Sequence, residues 1–161
     1  MAWITRVKVR FGEIDPAGVA YYPNLYHYCH AAFEDFFEER IGVPYPDLIA
    51  KERIGFPTVR VESYFRRPIR YGDVLEMSVA VTRVGESSAT FEFRGSREGD
   101  RALCFASAHI VVCVDMDNFR PLRIPERFRD LFLDAGARES DAPGEGDVPR
   151  EGPIPEEPGR D

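Results

Sequence analysis

A single strongly apolar helix, set ahead of a run of strands, is the feature that most limits the fold. Leu25, Cys29, Ala32, Phe33, Phe36 and Phe37 recur at helical spacing and make one wide apolar face. His27, Glu34 and Glu38 fall on the opposite side, and His30 sits at the border. Proline at position 23 suits a first helical turn, where its missing N–H is not needed. Gly42 supplies the stop. Everything downstream changes period. Thr58 to Arg66, Asp73 to Val84, Ser88 to Arg97 and Ala102 to Val114 alternate or run apolar as strands do.

An earlier segment also alternates. Val7, Val9 and Phe11 are expected on one face, with Arg6, Lys8 and Arg10 on the other. Turn chemistry at Tyr71–Asp73, Gly85–Ser87, Arg97–Arg101 and Asp115–Asn118 separates the later strands. Tyr45 to Glu52 reads as a short helix or turn, and Pro125 opens a closing helix. The expected order is strand, long helix, then four strands in a meander. One helix cannot cover both faces of such a sheet, so the sheet must curve around it. The expected class is α+β, a five-stranded antiparallel sheet wrapped around a long central helix. The uncovered face and long edge strand are ordinarily handled by pairing with a second copy.

Composition bounds the rest. The chain has 161 residues, 43% of them hydrophobic, which suits one domain. We place that domain at 1–133. Residues 134–161 are acidic, rich in Pro and Gly, and too poor in aliphatics to offset ordering entropy, so a disordered tail is expected there. The net charge of -7 argues against a nucleic-acid coat. No apolar run approaches the roughly 20 residues of a membrane span, and the start of the chain is not a signal peptide. Cys29, Cys104 and Cys113 are expected as free thiols in a reducing compartment. Together these point to a cytoplasmic protein.

The loop between the first strand and the helix is "FGEIDPAGVAYYPN", Phe11 to Asn24. An aspartate before proline is common turn chemistry, and that reading stands by itself. The chemistry also permits more. Exposed N–H groups at a helix start stabilise negative charge on a carbonyl oxygen. A carboxylate a few residues earlier can attack the carbonyl carbon or deprotonate water.

This loop, the following helix, "GFP" before one strand and "YGDVL" before another resemble the hot-dog acyl-CoA thioesterases. The nearest subgroup is the 4-hydroxybenzoyl-CoA thioesterase type, matched from about Arg6 to Phe132. The D-P-A-G-x-x-x-Y-P-N core is the specific part. The resemblance implies an acyl-CoA hydrolase with sites at a dimer interface, often in a tetramer, using no metal and no organic cofactor. By position it implies Asp15 as the catalytic carboxylate and the Tyr22 N–H as the carbonyl-polarising donor. Gly18 and Tyr21 flank them. His30 falls where the 4-hydroxybenzoyl-CoA enzyme carries an aspartate contacting the ring hydroxyl, a departure that unsettles that substrate. Phe56 and Pro57 are candidate walls of the acyl pocket, with core packing as the alternative.

Coenzyme A carries phosphates that arginine pairs with well. Arg66, Arg67 and Arg70 cluster before and within the turn at "RRPIRYGD", and Arg83 and Ser87 lie near the Gly85–Ser88 turn, a second place where the family handles the nucleotide. An ordinary strand-end charge group accounts equally for the arginines. His27, His30 and Glu34 have the spacing of a metal face, but no third strong ligand accompanies them and an exposed polar face explains the pattern. Ser87, Ser88 and Ser107 lack a nucleophile-elbow context. Two alternatives remain: a hot-dog hydratase or dehydratase, for which His30 is the only stand-in base, and a non-catalytic acyl-CoA binding module.

Overall fold

The computed structural model describes residues 2–140. Strand β1 (Trp3–Lys8) leads through the loop to α1 (Tyr22–Phe36), whose last turn widens into a π segment at Phe37–Ile41. Gly42 then ends the helix in the left-handed region, φ 78°. Next come α2 (Tyr45–Ala50), β2 (Ile54–Gly55), β3 (Thr58–Phe65), β4 (Val74–Val84), β5 (Ser88–Arg97) and β6 (Leu103–Val112). The short β7 (Val114–Asp115), α3 (Glu126–Asp134) and β8 (Arg138–Glu139) follow.

The main sheet runs β1-β4-β5-β6-β3, all antiparallel, with β8 added to β4 in parallel. The five expected strands are present, with β8 as a short sixth. Their neighbours differ from a simple meander. Only β4-β5-β6 meander; β3 crosses to the far edge and pairs with β6. Alternation tells which face of a strand is buried, not which strand lies beside it. The edge position shows in β3 itself, where Val59, Val61 and Phe65 are 61%, 42% and 52% exposed.

The helix meets the sheet as its pattern requires. Leu25, Tyr28, Cys29, Ala32, Phe33 and Phe36 are buried on α1. Leu75, Met77, Val79 and Val81 of β4 and Phe91 and Phe93 of β5 are buried in the same core. Each buried Leu, Val, Met or Phe among them contributes about 1.5–3 kcal/mol by leaving water. His27 and Glu38 stay exposed. Phe11 departs from expectation. The strand stops at Lys8, a 3-10 turn takes Phe11–Glu13, and Phe11 is 81% exposed against Tyr71. The alternation ends where the backbone turns to enter the loop.

The segment expected as tail from residue 134 begins inside the fold. Gly136 turns the chain at φ 104° and Arg138–Glu139 pairs with Arg83–Val84. Buried Arg129 ties this end down: Nη1 donates to the Gly85 carbonyl at 2.6 Å and Nη2 to the Glu139 carboxylate. Residues 141–161 of the expected tail lie outside the described residues. Among the described residues, no helix is long and apolar enough to cross a membrane.

Candidate active site

The loop before α1 is built from turn chemistry in its sequence. Asp15-Pro16-Ala17-Gly18 has the residues of a type I turn, and the Gly18 N–H donates to the Asp15 carbonyl at 2.9 Å. Gly18 then takes φ +80°, and the Asp15 N–H donates to the Val19 carbonyl at 2.9 Å, closing a three-residue hairpin loop. An L side chain at 18 would be strained. The Asp15 carboxylate itself accepts the Ala17 N–H through Oδ1 at 2.9 Å. So the turn reading of Asp15 is realised in full. One carboxylate oxygen is committed to the turn and the other is not needed for it.

Both sides of the loop are anchored. The Ala20 N–H donates to the Ile69 carbonyl at 2.7 Å, and the Tyr21 N–H to the Glu13 carbonyl at 2.9 Å. Tyr21 is the N-cap of α1 and its ring packs on Tyr22 at 5.5 Å. Tyr22 begins the helix, so its N–H has no acceptor within the helix and stands at the positive end of the dipole. The ring of Tyr22, 59% exposed, opens onto a groove of about 300 Å³. Val19, Ala20, Leu25, Ile69 and the Phe65–Pro68 segment line the rest of the wall.

Glu13 was not among the expected site residues, yet it pins this arrangement. Its Oε2 accepts the Arg10 N–H at 2.7 Å and the Tyr28 hydroxyl at 2.5 Å. Its carbonyl also accepts Asn24 Nδ2 at 2.9 Å. Burial, then the Glu13 hydrogen bond, pushes the Tyr28 phenol well above its ordinary range, so it stays a donor. The local signal was a glutamate three residues after Arg10, the spacing of a capping box. Glu13→Ala is expected to cost about 2 kcal/mol, because it strands a buried hydroxyl. Adding Tyr28→Phe should restore part of that loss. Urea unfolding of both single variants and the double variant measures the coupling.

The remaining candidates separate. His30 is exposed, pairs with Glu34 at 3.1 Å and stacks on Phe33. It lines a cavity of about 10 Å³ together with Phe56 and His109. Phe56 is otherwise a core residue, 3% exposed. The Pro57 carbonyl accepts the Val112 N–H at 3.0 Å, a sheet role. Arg67 reaches the groove, and the backbone N–H groups of Arg66 and Arg67 both donate to the Cys104 carbonyl. Cys104 is the extra residue of a bulge opposite Gly95 and Ser96. The Arg70 N–H caps onto Asp73 at 2.8 Å in the next turn.

Arg83 and Ser87 are not brought to this groove. They lie at the far end of β4, about 30 Å along the strand from Val74. Arg83 borders a polar hollow with Glu92 and Arg138, while the Ser87 carbonyl accepts the Cys113 N–H. All three cysteines are free and buried, and burial pushes each thiol upward.

A family model described as the thioesterase-like superfamily matches residues 9–132. A 1,4-dihydroxy-2-naphthoyl-CoA hydrolase of Prochlorococcus marinus (strain MIT 9303) is 33% identical over 100 residues, 56% of this chain and 66% of that protein. One of the same name from Synechococcus elongatus is 27% identical over 123 residues, 76% of this chain and 88% of that protein. The chain spans just under two thirds of the length of four Prochlorococcus marinus relatives it matches. A solved gentisyl-coenzyme A thioesterase is 27% identical with TM-score 0.73, covering 81% of this chain and 99% of that one. With its sheet wrapped around one helix and its family model covering most of its length, the chain belongs to the thioesterase-like superfamily and has the hot-dog fold.

Proposed function

We propose that the protein is a cytoplasmic acyl-CoA thioester hydrolase that releases the free acid and coenzyme A, with an aromatic acyl group favoured. One observation carries this reading: the start of α1 opens on an apolar groove beside a loop that holds a carboxylate. The thioester carbonyl oxygen accepts the Tyr22 N–H, and the helix dipole stabilises the charge that builds there. Asp15 then acts in one of two ways. As nucleophile it forms a mixed anhydride, the CoA thiolate leaves and is protonated, and water cleaves the anhydride. As base it takes a proton from water, which attacks the same carbon directly.

Tyr21, Gly18 and the His30–Phe56 wall shape the acyl end. Arg67 and Arg70 face the phosphates of coenzyme A. Two copies join along the β3 edge, where Val59, Val61 and Phe65 lie open, and dimers pair into a tetramer. Arg83 and Ser87 reach a nucleotide only across such a boundary, given their distance from the groove. The names of the relatives support an aromatic acyl group.

The test is thiol release from benzoyl-, 4-hydroxybenzoyl-, 1,4-dihydroxy-2-naphthoyl-, phenylacetyl- and fatty acyl-CoA. Release fastest with the aryl esters is expected. Tight binding of every ester with no thiol released would instead mark a binding module. Conversion of enoyl esters without thiol release would mark a hydratase.

A further inference from the structure

The cations of this acidic chain are not paired evenly. On α2, α3 and their flanks, Lys51, Arg53, Arg123, Arg127 and Arg129 each meet a carboxylate of the fold. Around the groove mouth, Lys8, Arg10, Arg67 and Arg70 make no side-chain ion pair among the described residues. Backbone contacts hold these four at one end of the sheet. The Val9 N–H donates to the Asp73 carbonyl at 2.9 Å, and the Gly72 N–H to the Val9 carbonyl at 3.3 Å. Lys8 and Arg10 therefore flank the Arg70–Asp73 turn, which continues from the groove wall at Arg67. Rings lie open among them: Phe11 is 81% exposed, Tyr71 64% and Tyr22 59%. Phe11 and Tyr71 pack edge to face at 5.8 Å.

Unpaired cations beside open rings fit a ligand that is both acidic and rich in proline. Proline-rich segments lie on open aromatic side chains at little cost in conformational entropy. Carboxylates alongside them pair with arginine. The chain itself contains such a segment. Residues 141–161 carry seven acidic and two basic residues, -5 of the whole -7. Within them, Pro153-Ile154-Pro155 is flanked by Glu151 on one side and by Glu156 and Glu157 on the other.

The groove mouth is within its reach. The Ser140 N–H donates to the Val84 carbonyl at 3.0 Å, at the end of β4 opposite Val74. The strand carries about 30 Å between those ends. A chain extended from Ser140 to Ile154 covers up to about 45 Å. Tethering also favours this occupant over others. A linker of such length holds its ligand at an effective concentration of about 1 mM, so a weak contact becomes a populated one. A separate acidic peptide, or a second copy at ordinary dilution, has no such advantage.

We propose that the Glu151–Glu157 segment docks across the groove mouth of its own chain. Its prolines lie on the open rings and its carboxylates on Lys8, Arg10, Arg67 and Arg70, so an anionic substrate must displace it. The docking stands without any activity; its effect on turnover rests on the thioester-hydrolase reading. The chain has two lysines, Lys8 at the groove mouth and Lys51 beside Asp47 on α2. A water-soluble carbodiimide joins an amine to a carboxylate that touches it. The full chain is treated, digested and mapped by mass spectrometry. Glu151, Glu156 or Glu157 should be joined to Lys8 within one chain, and the yield should fall severalfold in Arg67→Gln/Arg70→Gln. In full-length Glu151→Gln/Glu156→Gln/Glu157→Gln, kcat should hold while KM for acyl-CoA falls about fivefold, the factor for a groove closed in about four molecules of five. No Lys8 link, an equal link to Lys51, or a link only between two copies overturns the docking. A Lys8 link with an unmoved KM overturns the displacement. A chain that forms the link yet hydrolyses no ester keeps the docking and removes the hydrolase reading.

Discussion

Asp15→Asn is expected to lower acyl-CoA turnover by about 10³-fold while leaving the unfolding transition where it is. The two halves of this expectation come from the two carboxylate oxygens. Oδ1 accepts the Ala17 N–H and holds the turn. Asparagine presents an equivalent carbonyl oxygen there, so the loop, Gly18 at φ +80° and the entry to α1 all persist. What asparagine lacks is the charge and basicity needed to attack a thioester or activate water. Asp15→Ala is a different experiment, since it also removes the turn bond and costs about 1 kcal/mol. Thiol release under saturating substrate, with urea unfolding of the same samples, checks both variants. Near-wild-type turnover in Asp15→Asn would leave this aspartate as a turn residue alone.

Phe37→Ala should be the most damaging single truncation to stability, at about 4 kcal/mol. Phe37 is fully buried. Its ring lies 4.8 Å from Phe33, 5.4 Å from Tyr45, 5.5 Å from Phe56 and 6.2 Å from Phe132, centre to centre. Those partners belong to α1, α2, the segment before β3 and α3. No one element can shift to fill the hole without dragging the others, so the cavity should stay largely open. A loss of that size is a substantial part of the 5–15 kcal/mol that holds a typical domain. Thermal unfolding should fall by about 12 °C. The effect should reach function too, because Phe56 loses its backing and also lines the cavity beside His30. A drop under about 1 kcal/mol would mean that the aromatic cluster repacks, contrary to its geometry.

Residues that act through neighbours in the chain were legible. The helix face from Leu25 to Phe37 predicted which side chains are buried, and Gly42 predicted the stop. Asp15-Pro16-Ala17-Gly18 carried its turn type openly, because turn preferences are set within four residues. Strand faces on β4 and β5 followed from alternation. Phe11 did not, since the same alternation continues for a few residues after the ladder has ended. The crossing of β3 to the β6 edge was also hidden: pairing partners are chosen by packing over the whole sheet.

The candidate site divides along the same line. Asp15, Gly18 and Tyr22 share one short stretch, and their placement at a helix start was determined by the sequence, through proline, glycine and the apolar periodicity that follows. Glu13 reaching Tyr28 was decided only by the tertiary structure, and so was Tyr26, outside the groove, reaching Ser63, Ser107 and His109. These contacts join residues 15, 37 and 44 positions apart, so no local preference records them. The separation of Arg83 and Ser87 from the groove has the same origin, since a long strand carries its two ends to opposite sides of the domain. Local sterics write a turn or a helix face into a few residues; the meeting of distant side chains depends on the one packing in which a curved sheet closes over its helix.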